Sequence, residues 1–439
     1  TTIRQPDRTW NGRLTWTPSS KTLIDARYGG YSSVNTWLPE LPASKDGPSL
    51  HHDLMTGWTT GNIWSYQAGD FQRHTTSATL TRYADRFLGN SHELKSGIEY
   101  DRSTAHTEYW WPGGRQYYDF GGKPFFAQAL SQPAISDVRL HRIGFFAQNR
   151  WVINRRLTVE PGMRVAHNRG QVPAKGTVFV TSPVSLRLGV AWDLRSDHRS
   201  VVRGHYGHYH DATYTSRIAN LDFTHQAAYS YFELTALGTF VETFRSEPLQ
   251  NWEVSTDVDH PYIEQYVLGV EHELLPDIAL AAQYVHRGTK DFVVLLDKGS
   301  VWVPVQRRDP GPDGRGGTSD DGAILTLYDK TTMNREFYVL ANAPDAYRAY
   351  DGIQFIARKR YAKNWQLQAS YTLSRAKGNI NNDPRSNAQL FEGGNPGVFV
   401  DPNGQVNADG RLGFDFPHEL KLLGTYRVPW WGGFTVSAV

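Results

Sequence analysis

The sequence predicts an all-β fold, an antiparallel transmembrane β-barrel to which this chain contributes about fourteen strands. Three observations support this prediction. Apolar and polar residues alternate over segments of about ten residues, and short turns alternate with long polar connections. Aromatic residues make up 13% of the chain, with 14 Trp and 23 Tyr, as expected where aromatic girdles mark the two membrane interfaces of a barrel.

The clearest alternation runs from Trp365 to Ser374. Its odd positions are all apolar or aromatic: Trp365, Leu367, Ala369, Tyr371 and Leu373. Its even positions are all polar, beginning with Gln366, Gln368 and Ser370. A period of two predicts a strand with one apolar and one polar face, and about ten residues suffice for a tilted strand to cross a bilayer. We therefore expect the odd positions to face lipid and the even positions to face the lumen.

The same period recurs in five further segments, which begin at Leu94, Leu157, Leu186, Ile278 and Leu420. Their polar faces carry full charges, such as Glu160, Arg164 and Lys421. A water-filled or plugged lumen accommodates charged side chains. With the weaker segments included, we count about fourteen strands, with ends uncertain by about 2–4 residues.

The connections between these strands fall into two length classes. The short ones are predicted at residues 18–21, 153–156, 194–200, 275–277, 361–364 and 429–433. The long ones are predicted at residues 30–70, 104–137, 210–260, 287–350 and 377–417. Such an alternation is typical of an outer-membrane barrel, in which periplasmic turns are short and extracellular loops are long.

Composition excludes several other classes. The longest apolar run, residues 292–296, is far too short for a membrane-spanning helix, which needs about 20 residues. The chain has no Cys, so it has neither disulfides nor thiolate metal sites. A net charge of +2 gives no reason to expect a nucleic-acid partner. Alternating strands by themselves also fit soluble β-sandwiches, β-propellers and secreted glycan-binding proteins.

Particular stretches resemble a known family. Residues 145–151 read F-F-A-Q-N-R-W and residues 156–164 read R-L-T-V-E-P-G-M-R. This pair resembles the adjacent strands of TonB-dependent receptors, where "F-x-Q-D-x-W" leads into "L-T-x-x-x-G-x-R", although Asn149 stands where Asp is usual. Three further stretches are similar to the Oar-like branch of that family: residues 262–291, 350–374 and 416–429.

The resemblance implies an outer-membrane barrel of about 22 strands with an N-terminal plug, driven by the inner-membrane TonB complex. Neither a plug nor a TonB box is visible in the sequence, and the last strands of the family pattern are missing. We therefore expect residues 1–439 to form part of the barrel, with the plug and the C-terminal strands outside this chain. A sheet of about fourteen strands should then stay open.

Two predicted outer loops carry candidate binding residues. The first holds five aromatic side chains that could stack on a ligand or pack the loops together: Tyr109, Trp110, Trp111, Tyr117 and Tyr118. The second, residues 309–322, carries four carboxylates among glycines: Asp309, Asp313, Asp320 and Asp321. Hard oxygen ligands in a flexible loop fit Ca²⁺, so we predict a weak calcium site there, although the segment lacks EF-hand spacing. A solvated Gly/Asp loop is the alternative.

The sequence also contains a histidine-rich stretch and lacks catalytic motifs. His205, His208, His210 and Asp211 lie close in sequence, but on a strand only His208 and His210 share a face, which favours a barrel rim over a metal site. No nucleophile elbow or paired-carboxylate motif is present, so we predict no enzyme activity and no required cofactor.

The sequence therefore predicts an outer-membrane barrel that imports a scarce nutrient. The substrate stays open among glycans, peptides and metal chelates. The expected partners are outer-membrane lipid, the nutrient, and the TonB complex acting through a plug. A structural or adhesive surface protein that binds through its long loops is the alternative function.

Overall fold

The structure, a computed structural model, is dominated by β-strands. It describes residues 2–38, 46–87, 90–210, 218–222, 225–247, 250–333, 335–343, 345–380, 397–430 and 433–438. None of the helices in these ranges is both long enough and apolar enough to cross a membrane. They are one α-helical turn, Gly397–Val400, and three 3₁₀ segments, Pro112–Gly114, Ala219–Leu221 and Pro402–Gln405.

The strands, in chain order, are β1 (Thr2–Arg4), β2 (Asp7–Ser19), β3 (Thr22–Leu38), β4 (Leu50–Asp53), β5 (Thr59–Thr60), β6 (Tyr66–Phe87), β7 (Asn90–Trp110), β8 (Arg115–Phe120), β9 (Lys123–Leu130), β10 (Ala134–Val152), β11 (Leu157–Val172), β12 (Gly176–Thr181), β13 (Val184–Asp193), β14 (Ser200–His210), β15 (Tyr229–Leu234), β16 (Phe240–Ser246), β17 (Trp252–Val254), β18 (Tyr262–Leu275), β19 (Ile278–Lys290), β20 (Val293–Asp297), β21 (Trp302–Arg308), β22 (Ile324–Lys330), β23 (Tyr338–Asn342), β24 (Arg348–Ala362), β25 (Trp365–Gly378), β26 (Gly410–Arg411), β27 (His418–Arg427) and β28 (Thr435–Ala438).

A 17-stranded sheet forms the body of the molecule. Three of its members, β1, β12 and β26, are short strands, each of which pairs with the same edge of its neighbour as a longer strand does. The other fourteen strands form a meander. Each strand of the meander pairs antiparallel with the next one, in the order β2, β3, β6, β7, β10, β11, β13, β14, β18, β19, β24, β25, β27 and β28. The predicted strand number and the predicted antiparallel fold are confirmed.

The meander does not close on itself within the described residues. Its two outer strands are β2 and β28, and no backbone ladder joins them in those ranges. The sheet is therefore open, as expected for a set of strands smaller than that of a plugged transporter.

The register aligns apolar side chains into rows on one face of the sheet. Leu373 lies opposite Ile353, Ile353 opposite Tyr284, and Tyr284 opposite Leu268. These four side chains are between 42% and 61% exposed although they are large and apolar. Such a surface is stable in hydrocarbon and not in water, so it is the lipid-facing side of the sheet. The odd positions of β25 lie on this face, as predicted.

Aromatic side chains border this apolar face at both ends. Near the short turns, the lipid-facing positions carry Trp16, Trp151, Trp192 and Trp365. Near the long loops, Tyr hydroxyls bond to His Nδ1 on the neighbouring strand, in the pairs Tyr28–His74 at 3.0 Å, Tyr100–His141 at 2.8 Å and Tyr371–His418 at 2.8 Å. The two girdles mark where each strand leaves the hydrocarbon.

The predicted loops begin too early on several strands. β3 continues to Leu38, β6 spans 22 residues from Tyr66, and β7 spans 21 residues up to Trp110. The prediction that loops occupy residues 30–70 and 104–137 was therefore wrong at those ends. Beyond the bilayer both faces of a strand meet water or other loops, so the apolar–polar alternation that reveals a strand disappears.

The long connections fold into small sheets of their own. Six strands from three connections form one sheet in the order β16-β15-β9-β8-β4-β5, and β17, β23 and β20 form another. β21 and β22 make a separate hairpin. Beneath the loop sheets, Ile218 and Leu221 of the connection after β14 pack with Val138 and Leu140 of β10 in a buried cluster. The loops are thus anchored to the non-lipid face of the sheet.

We predict that Phe355→Arg blocks insertion into bilayers and that Gln354→Arg does not. Phe355 lies in the apolar band, whereas Gln354 bonds to Gln283 at 2.6 Å on the opposite face. An Arg near the middle of the bilayer costs about 2–4 kcal/mol, and a polar lumen accepts it. Folding yield into vesicles, measured by heat-modifiable gel mobility, tests this. Equal losses for the two variants would contradict the assigned facing.

Candidate functional site

The predicted aromatic residues Tyr117 and Tyr118 lie in β8, inside the six-stranded loop sheet. Tyr118 stacks on Phe126 with ring centroids 4.4 Å apart, and Tyr117 stacks on His51 at 4.7 Å. Burial, with Tyr229 nearby, raises the pKa of the Tyr118 phenol, which therefore stays protonated. These two rings hold the loops to one another.

Trp111 is also part of the loop packing. It is 7% exposed, meets Tyr229 edge to face at 6.1 Å, and donates from Nε1 to the Tyr109 hydroxyl at 2.9 Å. Trp110 lies beside Gly114, at the start of the loop. The five aromatic residues therefore do not form one surface. Ligand binding by them stays a prediction, and Tyr109 is the one that lines an open cavity.

This cavity, of about 520 Å³, lies at the loop end of the sheet, on the face opposite lipid. Trp37 of β3 lies opposite Gln67 of β6, and Gln67 lies opposite Tyr109 of β7, so the three form one row across the sheet. The row below contains Asn35 and Gly69. The volume is within the usual range for small-molecule sites, about 300–1,000 Å³.

The cavity lining is aromatic and polar but not basic. Trp37, Phe71 and Tyr109 provide ring surface, whereas Asn35, Gln67, Thr107, Ser136 and Gln226 provide amide and hydroxyl groups. Among the described residues that line the cavity, none is Lys, Arg or His. Two carboxylate residues, Glu108 and Asp222, also line the cavity, and the Asp222 carboxylate already accepts from the Asp137 N–H. Rings and hydrogen-bonding groups without a basic side chain suit a polar ligand that carries no negative charge.

The cavity is roofed by the connection that follows β14. The carboxylate of Asp222 accepts a hydrogen bond from the backbone N–H of Asp137 at 2.8 Å, and Ser136 Oγ donates to the Ala219 carbonyl at 3.0 Å. The backbone N–H of Ile135 also donates to the His225 carbonyl at 2.9 Å. The roof is thus bonded to the first residues of β10, next to the cavity floor.

Asp53 fixes a second contact between loops. Its carboxylate accepts hydrogen bonds from the backbone N–H of Gly122, in the β8–β9 turn, and from those of Thr56 at 3.0 Å and Met55 at 2.9 Å. These amides lower the pKa of Asp53 from 3.8 to about 2. Gly121 and Gly122 both have positive φ, 59° and 76°, so glycine suits this turn.

Sequence reasoning missed Trp37, Phe71, Asn35 and Gln67. Asn35, Trp37 and Gln67 fall within residues 30–70, which were predicted to be a loop, and Phe71 directly follows that range, so no alternation of facing was predicted for them. Once β3 and β6 are known to continue, parity gives the facing: Asn35 and Trp37 share a face with Asp25, on the side opposite lipid.

The four predicted calcium ligands lie in the exposed hairpin between β21 and β22. Asp309 accepts from the Gly311 N–H at 3.0 Å, and Asp313 from the Arg315 N–H at 2.7 Å. Asp320 accepts from the Thr318 hydroxyl at 2.6 Å, and Asp321 from the Gly317 N–H at 2.8 Å. Each carboxylate thus bonds to groups of its own loop. Within the described ranges, no three His, Asp or Glu side chains converge as metal ligands.

The histidine stretch lies at the loop end of β14. His208 approaches Tyr206 at 2.7 Å and Glu264 at 3.6 Å, and His210 bonds to Ser185 at 2.9 Å. His205 bonds to Tyr209 instead. Asp211 falls outside the described residues. The three histidines have separate partners, in keeping with the barrel-rim interpretation.

Two family models match the chain. The one described as "TonB dependent receptor-like, beta-barrel" matches residues 2–271, and the one described as "Outer membrane beta barrel domain" matches residues 165–438. The chain is also 25% identical over 186 residues to the TonB-dependent transporter Oar of Myxococcus xanthus. This alignment covers 39% of this chain and 14% of Oar.

Solved structures of outer-membrane receptors have a similar fold. The transporter YddB of Escherichia coli matches with a TM-score of 0.60 and 14% identity, over 97% of this chain and 49% of its own. The pyoverdine receptor FpvA of Pseudomonas aeruginosa matches with a TM-score of 0.52 and 13% identity, over 97% of this chain and 48% of its own. This chain therefore spans about half the length of these solved structures, and a smaller part of Oar.

We predict that the Asp53 contact weakens in acid. The pKa of Asp53 in the folded chain, about 2, lies below its ordinary 3.8. The carboxylate therefore holds the loops fully above the ordinary value, and its effect is lost as the pH falls through about 2. Amide hydrogen exchange at Gly122 should accelerate across this window. Asp53→Asn should exchange fast at neutral pH already, and the control Asp313→Asn should behave like the wild type.

The calcium prediction can be tested by calorimetry on the full chain. With the carboxylates bonded to their own loop, Ca²⁺ would have to rearrange the hairpin, so the expected affinity is low, about 10⁻⁴–10⁻³ M. Binding heat should vanish in the double variant Asp320→Asn/Asp321→Asn. Absence of heat with millimolar CaCl₂ for the wild type would rule the site out.

Proposed function

Because the chain belongs to the TonB-dependent receptor-like β-barrel family and lies in the outer membrane, we propose that it forms the barrel wall of a nutrient importer. In this proposal the loops capture a scarce solute outside the cell. A plug domain and the inner-membrane TonB complex then drive its release to the periplasm. The family consists of receptors and transporters rather than enzymes.

The observation that carries the proposal is the cavity at the loop end of the sheet. It opens on the face opposite lipid, where a solute would enter a barrel, and four strands of the wall, β3, β6, β7 and β10, contribute to it. The loop after β14 is hydrogen-bonded directly above it. A surface protein without transport activity would not need a solute-sized cavity on this face.

The lining favours a neutral, hydroxyl-rich solute such as an oligosaccharide. Ring faces of Trp37 and Tyr109 suit the apolar face of a sugar, and Asn35 and Gln67 can donate to and accept from its hydroxyls. An anionic metal chelate would be expected to meet at least one cationic side chain. The described part of the lining provides none.

We predict that Trp37→Ala and Tyr109→Ala each weaken solute binding roughly tenfold, because aromatic side chains that a bound ligand covers dominate the affinity of such sites. Trp58→Ala is the matched control, since Trp58 is 76% exposed and is not among the cavity residues. The measurement is retention of radiolabelled solutes by cells expressing the full-length protein, with neutral oligosaccharides compared with ferric chelates.

Two results would count against the proposal. Unchanged retention in both cavity variants would remove the cavity from solute binding. Uptake that continues after loss of the TonB complex would remove the energy-coupled mechanism while leaving the cavity assignment intact.

A further inference from the structure

A row of basic side chains lies on the lipid-facing side of the sheet. Arg102 of β7 is opposite His74 of β6 on one side and His141 of β10 on the other, and His141 is opposite Arg169 of β11. Arg139 precedes His141 by two residues and lies on the same face of β10. Because neighbouring strands are about 4.8 Å apart, Arg102 and Arg169 flank His141 at a backbone separation of roughly 10 Å.

The height of this row can be measured along β10. Trp151, in the girdle near the short turns, is ten residues from His141, or about 33 Å at roughly 3.3 Å per residue. A strand tilt of about 40° reduces this to roughly 25 Å, the usual height of the apolar band of such a barrel. The residues between them on this face include Phe145 and Ile143. The basic row therefore lies where the strands leave the outer leaflet.

The arginines are not neutralised by the protein. Within the described residues, no ion pair joins Arg102, Arg139 or Arg169 to a carboxylate, and all three side chains are exposed. The Arg169 guanidinium donates to the Thr177 hydroxyl at 2.6 Å, and His141 bonds to the Tyr100 hydroxyl at 2.8 Å.

The carboxylates on the same strands do not neutralise these arginines. On this face, Asp70 and Asp137 lie on either side of His106, two rows nearer the loops than Arg102 and one row beyond Arg139. Asp137 is hydrogen-bonded to His106 at 2.9 Å, and Asp70 accepts from Gln72 at 3.3 Å. Asp101 and Glu99 lie on the opposite face, where Arg73 and Arg142 bind them.

We propose that Arg102, Arg139 and Arg169 form a binding site for the phosphorylated headgroup of an outer-leaflet glycolipid. Guanidinium groups bind phosphate through paired, charge-assisted hydrogen bonds. Clusters of such groups at a membrane boundary recognise anionic lipid heads. The acyl chains of the same lipid lie along Phe145 and Ile143, directly below.

The arrangement fits a lipid better than a dissolved anion or a protein. The site is exposed sideways, toward the bilayer, rather than toward the cavity or the loop tips. The apolar surface next to the arginines makes no favourable contact with a free phosphate ion, whereas it can pack against the acyl chains of a lipid. Three unneutralised charges at this depth are also costly unless an anion occupies the leaflet beside them.

The test compares lipid binding by the full-length protein in detergent with that of the triple variant Arg102→Gln/Arg139→Gln/Arg169→Gln. The probes are lipopolysaccharide, the same material after enzymatic dephosphorylation, and inorganic phosphate, with binding measured by native mass spectrometry. We expect the wild type to bind the phosphorylated lipid at least about tenfold more tightly than it binds the dephosphorylated lipid. We also expect the triple variant to bind the phosphorylated lipid at least about tenfold more weakly than the wild type does. The matched control removes three loop charges, as Arg245→Gln/Arg307→Gln/Arg315→Gln, and should bind like the wild type.

Folding of each variant is checked by heat-modifiable gel mobility, and Arg139→Gln alone replaces the triple variant if that protein does not assemble. Equal binding by wild type and variant, or by phosphorylated and dephosphorylated lipid, would overturn the proposal. Displacement of the lipid by an equivalent concentration of inorganic phosphate would overturn it too, since the site would then be one for free phosphate.

Discussion

Backbone hydrogen bonding in hydrocarbon is the constraint on which the rest of the structure depends. A strand that crosses a bilayer finds no water for its N–H and C=O groups, and each unpaired group costs several kcal/mol. The chain meets this constraint by pairing every strand of the meander with its sequence neighbour, from β2 through β28, in one antiparallel register. Because the side-chain period is two, that register also decides which residues face lipid. A slip of one residue would turn Phe355 inward and expose Gln354 to hydrocarbon.

Once the register is fixed, the type of side chain at a position depends on the face of the sheet and on the distance from the turn end. On the lipid side, Trp residues mark the turn end and Tyr–His pairs mark the loop end, with the arginine row at the height of the histidines. On the other side, charges neutralise one another across strands: Glu99 lies between Arg142 at 2.7 Å and Arg164 at 3.4 Å. Arginines with carboxylate partners are structural, whereas arginines without such partners at a lipid boundary favour the binding of an external anion.

Strand pairing at the loop end of the sheet is organised differently. There the strands extend beyond the bilayer, and the connections form hairpins of their own that also pair with one another. β4 joins β8 in parallel, and β15 joins β9, across separations of more than sixty residues. The cavity results from this: its floor belongs to β3, β6, β7 and the first residues of β10, whereas its roof belongs to the connection after β14. Contacts such as that between Asp53 and Gly122 keep the separate loops in one arrangement.

The sequence alone determined the fold class, the approximate strand number, the positions of the short turns other than the one between β6 and β7, and the facing of strands such as β25. All of these depend on local periodicity, which the bilayer imposes on each strand separately. It did not determine the ends of β3, β6 and β7, because outside hydrocarbon that periodicity is not required. Nor did it align Trp37 with Tyr109, or Arg102 with Arg169, in one row across the sheet, since these rows are set by interstrand register and no local pattern encodes them. The tertiary structure decided both the cavity and the arginine row, because each is assembled from side chains on different strands at a common height.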